Sequence, residues 1–312
     1  SEVKDGPYKG RGEGPEYESI WALGALCGVS DLAAVAKANF ICGDYGIDTI
    51  STGATIACAM ELFEKGALSE KEIGFSMRFG DAAAMVRAVE MTGKREGFGE
   101  VLADGSYRLA ARYGHPEFFM GVKKLEMSAY SPRVFQGMAL QYATSNRGAC
   151  HVRGNTVAAE LYGIPRYMAP ELLEQKEEMV RRPFQNSTAF VDSTGICLFT
   201  KFAITHREIC ALLTPATGLD FSFDRSIEQG DRIWNIERMF NLRAGFTSDD
   251  DKLPQRVTEP SPDGPRAGSR AVLHEHLQTY YQLRGWDSSG RPTRAKLDEL
   301  GLEDWWGVCS DA

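Results

Sequence analysis

The sequence predicts an all-α, multihelical protein of two helical domains, and three observations predict it. Apolar residues recur at intervals of three and four in one segment after another. Stretches of strict apolar–polar alternation are sparse. Glycine and proline punctuate the ends of most periodic segments. With 312 residues and about 150 residues per domain, two domains are expected. Helical domains over residues 1–120 and 121–312 fit the segment pattern.

Taken in order, residues 1–15 are Gly-rich and charged and read as a loop or extended entry segment. An apolar stretch runs from Tyr17 to Cys27. Asp31 is the expected N-cap of a helix that carries Leu32, Val35, Ala36, Phe40 and Ile41, with Gly43 and Gly46 stopping it. Ser51–Lys65 forms the next helix, with Ile56, Ala59, Met60 and Phe63 on one face. Gly80–Met91 and Phe98–Tyr113 follow, and Gly114 and Pro116 end the second of them. Leu125–Arg133 reads as irregular and turn-like. Further helices are expected over Arg133–Ser145, Pro170–Gln185, Ser226–Leu242 and Leu273–Gly285. Val191–Phe202 mixes turn residues with an apolar run, and Asp249–Gly268 reads as a long loop. A tail with Trp286, Trp305 and Trp306 closes the chain.

The balance of 43% hydrophobic and 25% charged residues is that of a globular protein. A net charge of −8 argues against nucleic acid, which needs a basic surface. It permits a basic partner, although an acidic surface also simply serves solubility. Seven cysteines show no disulfide framework, which points to a reducing compartment. No apolar run approaches the roughly 18 to 20 residues of a membrane span, so a cytoplasmic protein is expected.

Three features could carry chemistry, and each has a plainer reading. Glu16 follows Gly14-Pro15, where a carboxylate can serve a helix dipole or act as a general base. Arg147, His151 and Arg153 could hold an anion or supply acid–base chemistry, but a lone histidine is more often structural. The compact turn Asp192-Ser-Thr-Gly-Ile-Cys197 could hydrogen-bond a ligand and offer a thiolate; taken alone, Cys197 reads as a buried inert thiol. Cys27, Cys42, Cys58, Cys150, Cys210 and Cys309 read as core thiols. The glycines at 10, 12 and 14 follow no strand, so a dinucleotide-binding reading fails its context.

Six ordered blocks carry a resemblance. They are Gly14-Pro-Glu-Tyr-Glu18, Gly46-Ile-Asp-Thr-Ile-Ser-Thr-Gly53, Ala143-Thr-Ser-Asn-Arg-Gly-Ala-Cys-His151, Asp192-Ser-Thr-Gly-Ile-Cys197, Arg238-Met-Phe-Asn-Leu-Arg243 and Tyr280-Tyr-Gln-Leu-Arg-Gly-Trp-Asp287. Together they resemble the tungsten-containing aldehyde:ferredoxin oxidoreductase family, and specifically its second and third domains. The resemblance implies two helical domains closing over a β-rich first domain. It implies a tungsten or molybdenum bis-pterin, a [4Fe–4S] cluster, oxidation of aldehydes to carboxylic acids and electron transfer to ferredoxin.

By resemblance, Glu16, Tyr130 and His151 are the catalytic residues. Glu16 is the base acting on water or hydrate, with His151 and Tyr130 donating to the carbonyl oxygen. Gly46, Asp48, Thr49, Arg153, Asp192, Gly195 and Ile196 are implied pterin contacts, and Cys197 the last cluster ligand. The first pterin signature, Asp-x-x-Gly-Leu-Asp, reads here Gly43-Asp-Tyr-Gly46-Ile-Asp48, so its first carboxylate is replaced by Gly43. The family's Cys-x-x-Cys-x-x-x-Cys run precedes Gly-Pro-Glu-Tyr, whereas this sequence has no cysteine before Cys27. Three cluster ligands and the β-rich domain are therefore expected from an amino-terminal partner, without which the chain is expected to be inactive and to self-associate, as a homodimer or a sticky monomer. The alternatives are a tungsten subunit of another family reaction, such as aromatic acyl-CoA reduction, and a metal-free helical module.

Overall fold

The computed structural model describes residues 1–163, 175–305 and 307. Helix makes up 57% of it, against two small two-stranded sheets, so the multihelical expectation holds. Residues 170–174 of one expected helix, Trp306 and Cys309 lie outside the described residues. The chain divides into two compact units, Ser1–Ala129 with Pro254–Arg256, and Tyr130–Leu253 with Val257–Ala312.

The first unit opens with a hairpin, β1 (Glu2–Val3) and β2 (Gly10–Arg11), in the segment expected to be loop or extended. Helix α1 (Tyr17–Leu23) follows and gives way at Gly24 to a 3-10 turn, Ala25–Cys27. Helix α2 (Leu32–Tyr45) starts as expected at Asp31, whose carboxylate accepts from the Ala33 and Ala34 N–H groups. Gly43, expected to stop it, lies inside its last turn; Gly46, at φ +66°, ends it. Helix α3 (Thr49–Glu64) begins earlier than the Ser51 expected, because Asp48 caps it by accepting from the Ser51 N–H at 2.7 Å. A Cβ on Gly53 of α3 would lie 2.5 Å from the Ala22 backbone, so α1 and α3 cross at backbone contact. Leu23, Val35, Ile56, Met60 and Leu62 fill the core with Met85 and Val89 of α5 (Ala82–Lys94), which is preceded by the single turn α4 (Glu70–Ile73).

The expected helix over Phe98–Tyr113 is two helices, α6 (Gly99–Leu102) and α7 (Ser106–Arg112), because Gly105 turns the chain at φ +83°. The Glu126 carboxylate caps α7, accepting from the Ser106 N–H at 3.0 Å and its hydroxyl at 2.7 Å. Leu125–Glu126 is β4, not irregular: it pairs with β3 (Gly121–Val122) through Lys123 and Lys124, both at positive φ. The left-handed turn is built here from lysines instead of the Asn-Gly that would have signalled it.

In the second unit, α8 (Gln136–Thr144) is buried along its length from Gly137. After α9 (Val157–Tyr162) and α10 (Lys176–Met179) comes a π-helical segment, Val180–Asn186, that contains Pro183. Proline has no N–H to give, and the ladder widens there. Helix α11 (Ser187–Ser193) continues it and ends in the turn at Thr194 and Gly195. Helix α12 (His206–Thr217) was not expected, although its capping box of Thr205 and Glu208 is written in the sequence; the internal Pro215 argues against a helix.

The longest helix, α13 (Phe223–Arg243), packs so closely on the π-helical segment that any side chain at Gly230 would collide with the Asn186 backbone. One helical turn, Gln255–Thr258, interrupts the expected long loop, and α14 (His274–Arg284) and α15 (Arg294–Glu299) complete the unit.

Buried polar groups tie this unit together. Arg284 is fully buried and donates to Asp231 at 2.7 Å, while Lys296 meets the other Asp231 oxygen at 2.7 Å. Burial alone would raise the Asp231 carboxyl, but the two cations outweigh it and hold it below the usual carboxylate range. His206 is buried between Ser187 and Ser226, with ring nitrogens 2.8 and 2.6 Å from their hydroxyls. Burial first, and the Lys201 cation second, push its pKa from 6.5 down to about 4. A histidine depressed in the fold contributes stability above its unfolded pKa and loses it as the pH falls. Chemical denaturation between pH 6.5 and about 4 should show a stability loss whose slope is shallower in His206→Gln. An identical slope in the variant would mean that His206 takes no part.

Candidate functional site

The expected site residues fall into two constellations, one in each unit. In the first, Pro15 leads into α1 and Glu16 stands at its N-cap position. The Glu16 side chain makes no cap hydrogen bond and is exposed, so its carboxylate is not spent on starting the helix. The helix instead connects to the Gly46–Thr49 turn through Ser19, whose hydroxyl lies 2.8 Å from that of Thr49. Asp48 keeps an exposed carboxylate beside this contact and lines a cavity of about 290 Å³ with Ser51, Thr52, Thr55 and Thr92. Those three threonines donate to carbonyls of their own helices, which leaves their oxygens as acceptors.

Sequence reasoning missed Glu18. It is buried, its Oε2 accepts from the Ala129 N–H at 2.9 Å, and its Oε1 has no hydrogen-bond partner. Burial raises its pKa, against the opposing pull of the Ala129 N–H. A glutamate two residues past a helix start carries no sequence sign of burial.

In the second unit the Ser145–Gly154 loop is pinned from below by Gln141. Its amide donates to the Arg153 carbonyl at 2.6 Å and the Cys150 carbonyl at 3.3 Å, and receives a bond from Gln185 at 2.7 Å. His151 and Tyr130 are brought together, with ring centroids 5.8 Å apart, and Tyr142 donates its hydroxyl to the Tyr130 carbonyl at 3.2 Å. The arginines flanking His151 are not one cluster. Arg147 points to the Cys150 sulfur, whereas Arg153 turns away to donate to Glu237 at 2.7 Å.

Arg153 also meets Asp192. Its Nε lies 3.4 Å from Asp192 Oδ2, within ion-pair reach but without hydrogen-bond geometry, so this buried N–H has no acceptor. The Asp192–Cys197 turn is held by the Thr194 hydroxyl, which donates to the Val191 carbonyl and accepts from the Ile196 N–H, with Gly195 at φ +75°. Ile196 packs beside Phe190 and Ile209.

Cys197 is exposed, which corrects its plain reading as a buried thiol. Cys27, Cys42, Cys58, Cys150 and Cys210 are buried, as core thiols should be. Burial pushes Cys27, Cys42 and Cys58 up to about 12. Among the described residues no group of three or more His, Cys, Asp or Glu side chains could hold a metal ion.

The family model described as aldehyde ferredoxin oxidoreductase, domains 2 & 3, matches residues 1–302. The chain belongs to the aldehyde ferredoxin oxidoreductase family. It is 47% identical over 304 residues to the tungsten-containing aldehyde ferredoxin oxidoreductase of Pyrococcus furiosus, covering 96% of this chain and 50% of that protein. It is 46% identical to the protein of the same name from Thermococcus kodakarensis, with the same coverage. An aliphatic sulfonate oxidoreductase, WOR-like subunit, of Pyrococcus furiosus is 27% identical over 97% of this chain and 48% of that protein. The chain spans about half the length of the curated relatives it matches. Among solved structures, the active site complex BamBC of benzoyl coenzyme A reductase, in complex with 1,5 dienoyl-CoA, superposes with a TM-score of 0.76 over 96% of this chain and 51% of that chain. At 18% identity this likeness shows the fold alone.

The resemblance implies an aspartate where Gly43 stands. A Cβ at Gly43 meets nothing within 4 Å, and its φ is not positive. Gly43→Asp should therefore melt with the parent chain, within about 0.5 kcal/mol by denaturant titration. A loss well beyond that would show that the position excludes the side chain.

Proposed function

We propose that the chain supplies the second and third domains of a tungsten or molybdenum bis-pterin oxidoreductase that converts aldehydes to carboxylic acids and passes the electrons to ferredoxin in the cytoplasm. The two units would be those two domains. The meeting of Arg153 with Asp192 carries this reading, because it ties the segment just after one family signature block, Ala143–His151, to another, Asp192–Cys197, about 40 residues on in the chain.

The donor set fits a pterin, whose edge offers both acceptors and donors. Arg153 has a buried N–H without an acceptor, and Asp192 has a carboxylate one third exposed. With Gly195 and Ile196 they would hold one pterin, and Gly46, Asp48 and Thr49 the other. When bound, the metal bis-pterin supplies the acceptor for the two electrons that leave the aldehyde. Cys197 offers one exposed thiol, and a four-iron cluster needs more ligands than the described residues place together. The chain would thus be inactive without the part of the family polypeptide that it does not cover.

Oxidation of an aldehyde to an acid consumes one water and releases two protons and two electrons. Glu16, with its carboxylate unspent, would take a proton from the water or hydrate. His151 and Tyr130, already side by side, would donate hydrogen bonds to the carbonyl oxygen as charge develops on it. The apolar groove of about 620 Å³ lined by Tyr17, Ile20, Trp21 and Leu32, next along the chain from Glu16, supports a partner surface, whether the rest of the enzyme or a second copy. The aldehyde reading is preferred over aromatic acyl-CoA reduction because the aldehyde enzymes are near 47% identical and the acyl-CoA reductase 18%.

In the assembled enzyme, His151→Asn should lower aldehyde turnover by about two orders of magnitude, read as aldehyde-dependent dye reduction with metal content checked in parallel. Unchanged turnover at equal metal content would remove His151 from the mechanism. The absence of any aldehyde oxidation by a metal-loaded parent enzyme would overturn the function.

A further inference from the structure

Lys201 lies outside the motifs of the sequence and is half-buried, in a setting unlike that of the other cations of this unit. Arg284, Lys296, Arg238 and Arg181 each face a carboxylate within 4 Å. Lys201 has none among the described residues. Its Nζ donates to the hydroxyls of Ser187 at 3.2 Å and Thr188 at 3.4 Å, both neutral. Asp192 is close enough to act on it electrostatically but lies beyond ion-pair distance and is engaged by Arg153.

The direction of the surrounding hydrogen bonds follows from one end. The Phe223 carbonyl can only accept, and it takes the Ser226 hydroxyl proton at 2.6 Å. Ser226 Oγ must then accept from His206, which places the imidazole proton on Nε2. His206 Nδ1 is consequently an acceptor, and the Ser187 hydroxyl donates to it at 2.8 Å. Ser187 therefore turns its lone pairs to Lys201. The cradle is set for an ammonium and cannot neutralise it. An ammonium has three N–H donors, two of which are taken, and the third finds no acceptor among the described residues. Burial pushes the lysine down to about 8, the sign of a cation without a close counter-charge.

We propose that Lys201 anchors an oxyanion-binding site beside the Asp192–Cys197 turn, which takes the phosphate of a ligand or the carboxylate of an acid product. A bound oxyanion would accept the third N–H and provide the close counter-charge that this half-buried ammonium lacks among the described residues. The site is made from this chain's own side chains and does not depend on a pterin being bound.

Titration calorimetry of the purified chain, with sodium phosphate and separately with sodium acetate at constant ionic strength, tests the site. At least one anion should bind saturably, and which one does identifies the source. Lys201→Gln should weaken that binding about tenfold or more. Lys201→Arg should keep most of it, and Asp192→Asn should tighten it by removing a nearby negative charge. Ser187→Ala keeps the cation but loosens its cradle, and should weaken binding about threefold. Saturation by neither anion, or equal binding by Lys201→Gln and the parent chain, would overturn the proposal.

Discussion

A charge taken out of water must meet another charge or be surrounded by hydrogen bonds, because leaving it bare costs several kcal/mol. Helix α13 places Asp231 and Arg238 on its buried side, and the second unit is arranged around their partners. Asp231 gathers Arg284 from α14 and Lys296 from α15. Arg238 holds Asp251 at 2.9 Å and the Gly290 carbonyl at 2.8 Å, and Asp251 in turn accepts the Tyr281 hydroxyl at 2.6 Å. All of these contacts but Arg238–Asp251, 13 residues apart, join segments 30 or more residues apart in the chain. Buried pairs are an uncertain source of stability, but removing one partner is costly. Their effect is to allow one arrangement of helices and to penalise the others.

The same helix reaches the Ser145–Gly154 loop. Glu237 accepts from Arg153, Asn241 donates to the Asn146 carbonyl at 2.7 Å, and Asn146 donates to the Trp234 carbonyl at 3.0 Å. The loop that carries His151 is thereby held at both ends, at Asn146 and at Arg153, and Arg153 carries the restraint on to Asp192. The catalytic role proposed for His151 calls for such a mounting, since a small misplacement of a donor lowers its effect on a developing charge. In the first unit the mounting is steric instead. Gly53 lets α1 approach α3 to backbone contact, and the Ser19–Thr49 bond sets the helix that follows Glu16 against the Asp48 turn.

Much of this was legible in the sequence, and the illegible part has a physical pattern. Caps and periods are local, so α2 with its Asp31 cap, α3 and α13 were readable to within a few residues. The break at Gly105 and the lysine hairpin turn were not, because each depends on a positive φ that the residue type only permits. Amphipathic spacing showed that α13 had a buried face without showing that Asp231 and Arg238 lie on it; their partners Arg284 and Asp251 are named only by the fold. At the site, the resemblance supplied Glu16, His151 and Asp192 by type. It could not supply Glu237 or Lys201, whose settings come from tertiary contacts, nor tell that Cys197 alone among the described cysteines is exposed.

Helix α13 fixes the Ser145–Gly154 loop through the Glu237–Arg153 contact. Hydrogen–deuterium exchange of residues 146–153 in Glu237→Gln, compared with the parent chain, tests it most directly. Exchange should be about tenfold faster in that loop, as expected for loss of a charge-assisted hydrogen bond, with α13 itself as protected as before. Unchanged exchange in the loop would contradict it, and would show that Gln141 and the Asn146 contacts hold the loop without Glu237.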